Sequence, residues 1–151
     1  LFLTFFVMTP VINQINEEAL TPYLEEEITF EEAIDAGGYP LKEFMLNNTR
    51  EKDLALFVGI SDLERPAHRE EVPFRALVPA FVLSELKTAF QMGFILFVPF
   101  LVIDMVVASA LMAMGMFMLP PVIVSLPFKI LLFVLVDGWH LVVQSLVESF
   151  A

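Results

Sequence analysis

The stretch "ALVPAFVLSELKTAFQMGFILFVPFLVIDMVVASALMAMGMFML", residues 76–119, decides the fold. It reads as one long, proline-interrupted apolar helix. Its end, "MAMGMFMLPP" at 112–121, alternates four methionines with other residues and runs into a double proline. "PPVIVSLP" (120–127) is expected to turn the chain, and "FKILLFVLVDGWHLVVQSLVESFA" (128–151) to form a returning helix. Residues 76–151 therefore read as a helical hairpin with two long arms.

The rest of the chain has a different solvent. Between Glu17 and Arg75 stand 15 acidic and 6 basic residues, a net of −9; from Ala76 onward only Glu85, Lys87, Asp104, Lys129, Asp137 and Glu148 are charged, a net of −2. With 58% of its 151 residues hydrophobic, the chain has too little polar surface for an ordinary soluble domain. Membrane lipid or an obligate assembly must cover it. A simple lipid span wants about 20 apolar residues without charge. Asp104 interrupts the first arm, and Lys129 and Asp137 bracket "ILLFVLV" in the second. Such charges are costly unless they face protein or water, so the arms are expected to pack on other copies or subunits.

Upstream, residues 1–16 read as the end of a truncated apolar helix that Pro10 kinks or turns, with "NQIN" leading out. Residues 17–75 read as a small, acidic, mostly helical domain. In it "TFEE" (29–32) matches a capping box. The helix it starts should stop at Gly37-Gly38. A second helix after Pro40 would carry Leu41, Phe44, Met45, Leu54, Phe57 and Val58 on one stripe, weakened at Asn47-Asn48. "ISDLERPAHREEVP" (60–73) reads as a polar loop, with an extra helical turn at Ser61. The acidic run Glu25-Glu26-Glu27 is read as solvated surface.

Several chemistries are excluded. There is no Cys, and His68 and His140 have no metal-ligand spacing, so no metal or cofactor is expected. A net charge of −11 and the lack of basic patches argue against nucleic acid. Asp104 and Asp137 admit two readings: proton carriers of a coupled membrane transporter, or paired and helix-terminal carboxylates that fix register. The Gly-x-Gly-Asp motif of an intramembrane protease is absent; Asp137 lies in "VDGW" and also offers a local bend. Lys129 is expected to snorkel to the headgroups or pair with a carboxylate. Arg50, in acidic surroundings, is a candidate partner for a buried Glu. On a continuing helix Met105, Met112 and Met116 would share one face, Met114 and Met118 another. Thioethers fill irregular cores, and they equally suit a soft constriction on an axis.

The segment 84–139, from "SELKTAF" through "MFMLPPVIVSLPFKILLFVLVDGW", resembles the FliP family, and the likeness continues upstream through "PLKEFMLNNTREKDLALF" (40–57). The double proline and "VDGW" resemble the flagellar rather than the virulence branch. The resemblance implies an all-α subunit of a type III export gate, without enzymatic activity. It further implies five copies joined to FliQ and FliR subunits, near an FlhB-type component, in a ring or cone. That assembly would sit in the bacterial inner membrane and on its periplasmic face, in the flagellar basal body, passing unfolded flagellar subunits. It implies an N-terminal signal and first helix upstream of Leu1. The family's methionine gasket would fall on Met116, Phe117 and Met118, with Met112 and Met114 nearby; relatives often carry three Met where this chain has Phe in the middle. Arg50 and Glu85 match an assembly charge pair, and Lys129 a lysine tied to gate function.

Overall fold

A computed structural model describes residues 1–61, 66 and 68–150, and every element among them is helical. The expected all-α class holds. The elements are α1 (Phe2–Ile15), a π-helical turn (Asn16–Leu20), α2 (Thr21–Leu24), α3 (Phe30–Asn47), α4 (Glu51–Ile60), a 3-10 turn (Arg69–Glu71), α5 (Phe74–Ala113), α6 (Pro121–Leu135) and α7 (Gly138–Glu148). Two compact units divide the chain, Leu1–Thr88 with Phe150, and Ala89–Ser149, the boundary falling inside α5.

In the first unit, "NQIN" does not lead out of the helix. α1 continues through Pro10 and Asn13, and the π turn relays it into α2. The capping box forms as read: the Thr29 N–H donates to Glu32 Oε2 at 2.8 Å, and the Glu32 N–H donates to Thr29 Oγ1 at 3.4 Å. α3 then runs past Gly37-Gly38 and Pro40 instead of stopping. The glycines serve packing. A Cβ on Gly37 would lie 3.3 Å from Ala19 Cβ and 3.5 Å from Ile15 Cγ2, and one on Gly38 would lie 3.7 Å from the Phe74 ring. The missing side chains let α3 approach α1 and the π turn closely.

The stop comes at Asn47-Asn48, the place read as weak. Asn48 Nδ2 donates to the Phe44 carbonyl (2.8 Å) and Thr49 Oγ1 to the Met45 carbonyl (2.6 Å), both drawn from α3's last turn. Arg69 Nη2 adds bonds to the carbonyls of Leu46 (2.6 Å) and Thr49 (2.7 Å), placing a cation at the negative helix end. α4 starts afresh at Glu51, so the expected single helix is two. Met45, Leu46, Leu54, Val58, Val72, Ala76, Leu77 and Ala80 form the core between them and the start of α5. The expected loop at 60–73 includes residues 62–65 and 67, which lie outside the described ones; Ser61 itself ends α4, and Arg69–Glu71 adds a 3-10 turn.

In the second unit α5 and α6 form the hairpin. α5 has 40 residues, about 60 Å at 1.5 Å per residue, twice a bilayer's hydrocarbon thickness. By length and composition it can cross a membrane, and α6 and α7 pass that test as a pair bent by 61°. The returning arm is thus broken rather than a single helix.

Candidate functional site

The methionine segment is shaped by a glycine, not by the prolines. α5 ends at Ala113, seven residues before Pro120. Gly115 has φ +75°, a conformation costly for any residue bearing a Cβ. Its N–H donates to the Met112 carbonyl (3.0 Å), and the Met116 N–H donates to the Leu111 carbonyl (2.9 Å), the paired bonds of a Schellman stop. Pro120 and Pro121 do not close α5 or make the turn. They open α6, with Pro120 at the N-cap and Pro121 first in the helix, where a missing N–H costs nothing. Met114, Met116 and Met118 therefore lie on a turn and share no helical face with Met105 and Met112. On that turn Met118 is 97% exposed, Phe117 77% and Met114 62%, with Met116 and Leu119 also outside the core.

Behind the turn the hairpin arms are clasped. Lys129 Nζ lies 2.7 Å from Asp104 Oδ2, and the buried Ser125 hydroxyl donates to Asp104 Oδ1. Ser125 and Lys129 are one turn apart on α6, so both reach one carboxylate on α5. Asp104 precedes the end of α5 by nine residues, roughly 14 Å of helix. The clasp thus holds α5 and α6 together behind the turn.

Asp137 has another situation. It is exposed, its carboxylate makes no hydrogen bond or ion pair among the described residues, and it caps α7 in the left-handed conformation (φ 51°). Gly138 follows because a Cβ there would lie 2.4 Å from the Phe133 ring. The Phe133 ring packs edge-on against Trp139, centroids 5.3 Å apart, across the bend. Asp137-Gly138 is the local bend that the sequence suggested.

In the first unit Arg50 stands at the N-cap of α4. Its N–H donates to Ser84 Oγ (3.1 Å) and its Nη2 to Thr88 Oγ1 (3.2 Å), bracketing Glu85 on α5. The Ser84 hydroxyl in turn donates to buried Asp53 Oδ2 (2.9 Å). The Arg50 charge acts on the half-buried Glu85 carboxylate.

A model of the FliP family matches residues 1–146. The chain belongs to the FliP family. Similar proteins include those named flagellar biosynthetic protein FliP from Bacillus subtilis (strain 168), Pectobacterium carotovorum subsp. carotovorum and Cereibacter sphaeroides, 59%, 58% and 57% identical to this chain. Each match covers 99% of this chain, which spans 68%, 58% and 50% of those relatives' own lengths, about half to two thirds.

The residues singled out in the sequence thus fall in three places. Met112, Met114, Met116, Phe117 and Met118 gather at the end of α5 and on the turn. Asp104 and Lys129 join in the clasp, and Arg50 bonds Ser84 and Thr88 on either side of Glu85 at the start of the α4 network. Asp137 joins none of them. Ser125, Ser84, Asp53, Thr88 and Arg69 escaped the sequence reading, because hydroxyls and lone charges acquire partners only through tertiary contact. Gly115 carried a readable signal, a glycine just past an apolar helix, that the neighbouring double proline overshadowed.

Proposed function

We propose that this chain is a pore-lining subunit of the flagellar type III protein export gate. In this reading five copies join FliQ and FliR subunits, with an FlhB-type component beside them, in a closed cone. The cone sits in the inner membrane and on its periplasmic face, and conducts unfolded flagellar subunits as a passive conduit without enzymatic activity. Met116, Phe117 and Met118 form the constriction, flanked by Met114 and Met112.

The observation that carries the proposal is the exposed turn itself. A segment of soft apolar side chains stands out of the fold on a glycine-capped tip, held by a partly buried clasp behind it. Exposed apolar surface of this kind needs a partner. A ring of such tips gives a constriction without fixed shape, because thioether side chains have three torsions and adapt to varied cargo. With no cargo inside, an apolar ring excludes ions by dewetting. Phe117 adds a stiffer layer between two flexible ones.

Lys129 enters this reading as the residue that ties turn to clasp, and Arg50 with Glu85 as the pair that stabilises assembly. Asp104 is held by an ammonium and a hydroxyl, whereas Asp137 stands apart at the start of α7. That arrangement suits two structural pins better than a relay of neighbouring proton carriers. The test is Met116→Ala combined with Met118→Ala. Assembly should persist while the closed gate leaks ions in a bilayer conductance assay; an unchanged conductance rejects the constriction role.

A further inference from the structure

We propose that the turn between α5 and α6 is a methionine-oxidation site, at which peroxide opens the closed gate and sulfoxide reduction reseals it. The inference rests on the constriction reading given above. Its premises are the side chains and their exposure. Met118, at 97% exposure, and Met114, at 62%, present their thioethers on a turn, and Met116 lies between them. Met45 is the internal contrast: it is 6% exposed, in the core formed by Leu46, Leu54, Val58 and Leu77. In the ring an oxidant reaches the turn from the aqueous mouth of the passage that the constriction closes, but it reaches Met45 only through an opening of the first unit.

The chemistry is a two-electron oxygen transfer. A sulfur lone pair attacks one oxygen of hydrogen peroxide, so an S–O bond forms while the O–O bond breaks. Hydroxide leaves, takes the proton from the transferred oxygen and departs as water. The sulfur is oxidised and the peroxide oxygens are reduced. Each event turns a flexible apolar side chain into a polar, chiral sulfoxide. In a core that change disrupts packing. In a ring that seals by excluding water, it supplies hydrogen-bond acceptors that let water remain, and the dewetted barrier is lost.

The turn's backbone supports reversibility. It carries the Schellman bonds of Gly115 and Met116 through main-chain groups only, and no side chain of the turn contributes to the clasp. Oxidation therefore alters the tip without releasing α5 from α6. Leucine in place of Met114, Met116 and Met118 keeps apolar volume at the same positions and cannot accept oxygen.

The experiment uses the assembled export complex in liposomes, treated with hydrogen peroxide and then with methionine sulfoxide reductase and a dithiol, which gives up two electrons and two protons, becomes a disulfide and releases the sulfoxide oxygen as water. Peptide mass spectrometry reads each methionine, and ion conductance reads the seal. Met114, Met116 and Met118 should be modified on the order of tenfold or more faster than Met45. Conductance should rise with modification and fall on reduction, and the complex carrying Met114→Leu, Met116→Leu and Met118→Leu should be insensitive to peroxide. Modification of Met45 at the rate of the turn overturns the inference. So does a peroxide-induced leak that persists in the leucine complex. If Met116→Ala with Met118→Ala leaks while oxidised wild type stays sealed, the constriction stands and the oxidation site falls. If neither leaks, both fall.

Discussion

Lys129 on α6 and Asp104 on α5 are 25 positions apart in the chain and meet at 2.7 Å, with Ser125 completing the carboxylate's hydrogen bonds. The pair sits behind the methionine turn and sets which faces of the two arms oppose each other. Replacing one partner leaves a charge in apolar surroundings with nothing to answer it. Asp104→Asn and Lys129→Met should each lower the thermal midpoint in detergent, and the double replacement should recover part of the loss. Additive losses in such a cycle would mean that the two side chains are not coupled.

Two glycines separate backbone cost from steric cost. Gly115 sits at φ +75° with nothing within 4 Å of where a Cβ would stand, so Gly115→Ala meets only the left-handed penalty, about 1–2 kcal/mol, and Gly115→Asn less. At Gly138 a Cβ would lie 2.4 Å from the Phe133 ring, so Gly138→Ala forces that ring aside, an overpacking cost of about 1–3 kcal/mol. Phe133→Leu should relieve the second and leave the first untouched. Denaturant midpoints of the single and paired variants check this; relief at both sites, or at neither, contradicts the geometry.

The capping box predicts a pH dependence in α3. The Thr29 N–H, and secondarily its hydroxyl, hold the Glu32 carboxyl below its ordinary value of 4.5. A carboxylate favoured in the fold contributes stability that is fully present at neutral pH. That contribution fades as the pH falls through 4.5 and below. Thr29→Ala, which keeps the N–H bond to Glu32 and loses only the hydroxyl, should cost about 1 kcal/mol at pH 7 and leave most of the acid limb of the α3 melting profile in place. Glu32→Gln removes the titrating group and should flatten that limb; an acid limb identical in wild type and Glu32→Gln would remove the box as its source.

The Arg50 network predicts a partner-specific rescue. Arg50 spans Ser84 and Thr88, on either side of Glu85. If the Arg50–Glu85 charges support assembly, Arg50→Glu and Glu85→Arg should each reduce the assembled complex on native gels, and the swap should restore part of it. Ser84→Ala should weaken the first unit on its own, by about 1–3 kcal/mol, since it strips a donor from buried Asp53 and an acceptor from the Arg50 N–H.

Local chemistry was legible in the sequence and tertiary chemistry was not. "TFEE" specified its own capping box because all its partners lie within four residues. "VDGW" likewise marked a bend that a positive-φ Asp and a close-packed Gly then made. Gly37-Gly38 misled because a glycine that permits close packing and a glycine that ends a helix look alike until Ala19 and Ile15 are in place. The double proline misled for a related reason: proline ends one helix and suits the first turn of the next equally well, and here it does the second. The Asp104–Lys129 pair could not be chosen from sequence, since the register of α5 on α6 depends on where the turn begins, and Gly115 sets that.

The central claim is that the turn of each copy faces its sisters around an axis. Met118→Cys in the assembled complex, treated with a short thiol-reactive cross-linker, tests it most directly. The account predicts a ladder of covalent multimers of this chain, abolished when assembly is blocked by Arg50→Glu. A complex that assembles fully yet yields only uncross-linked copies from that position would contradict it.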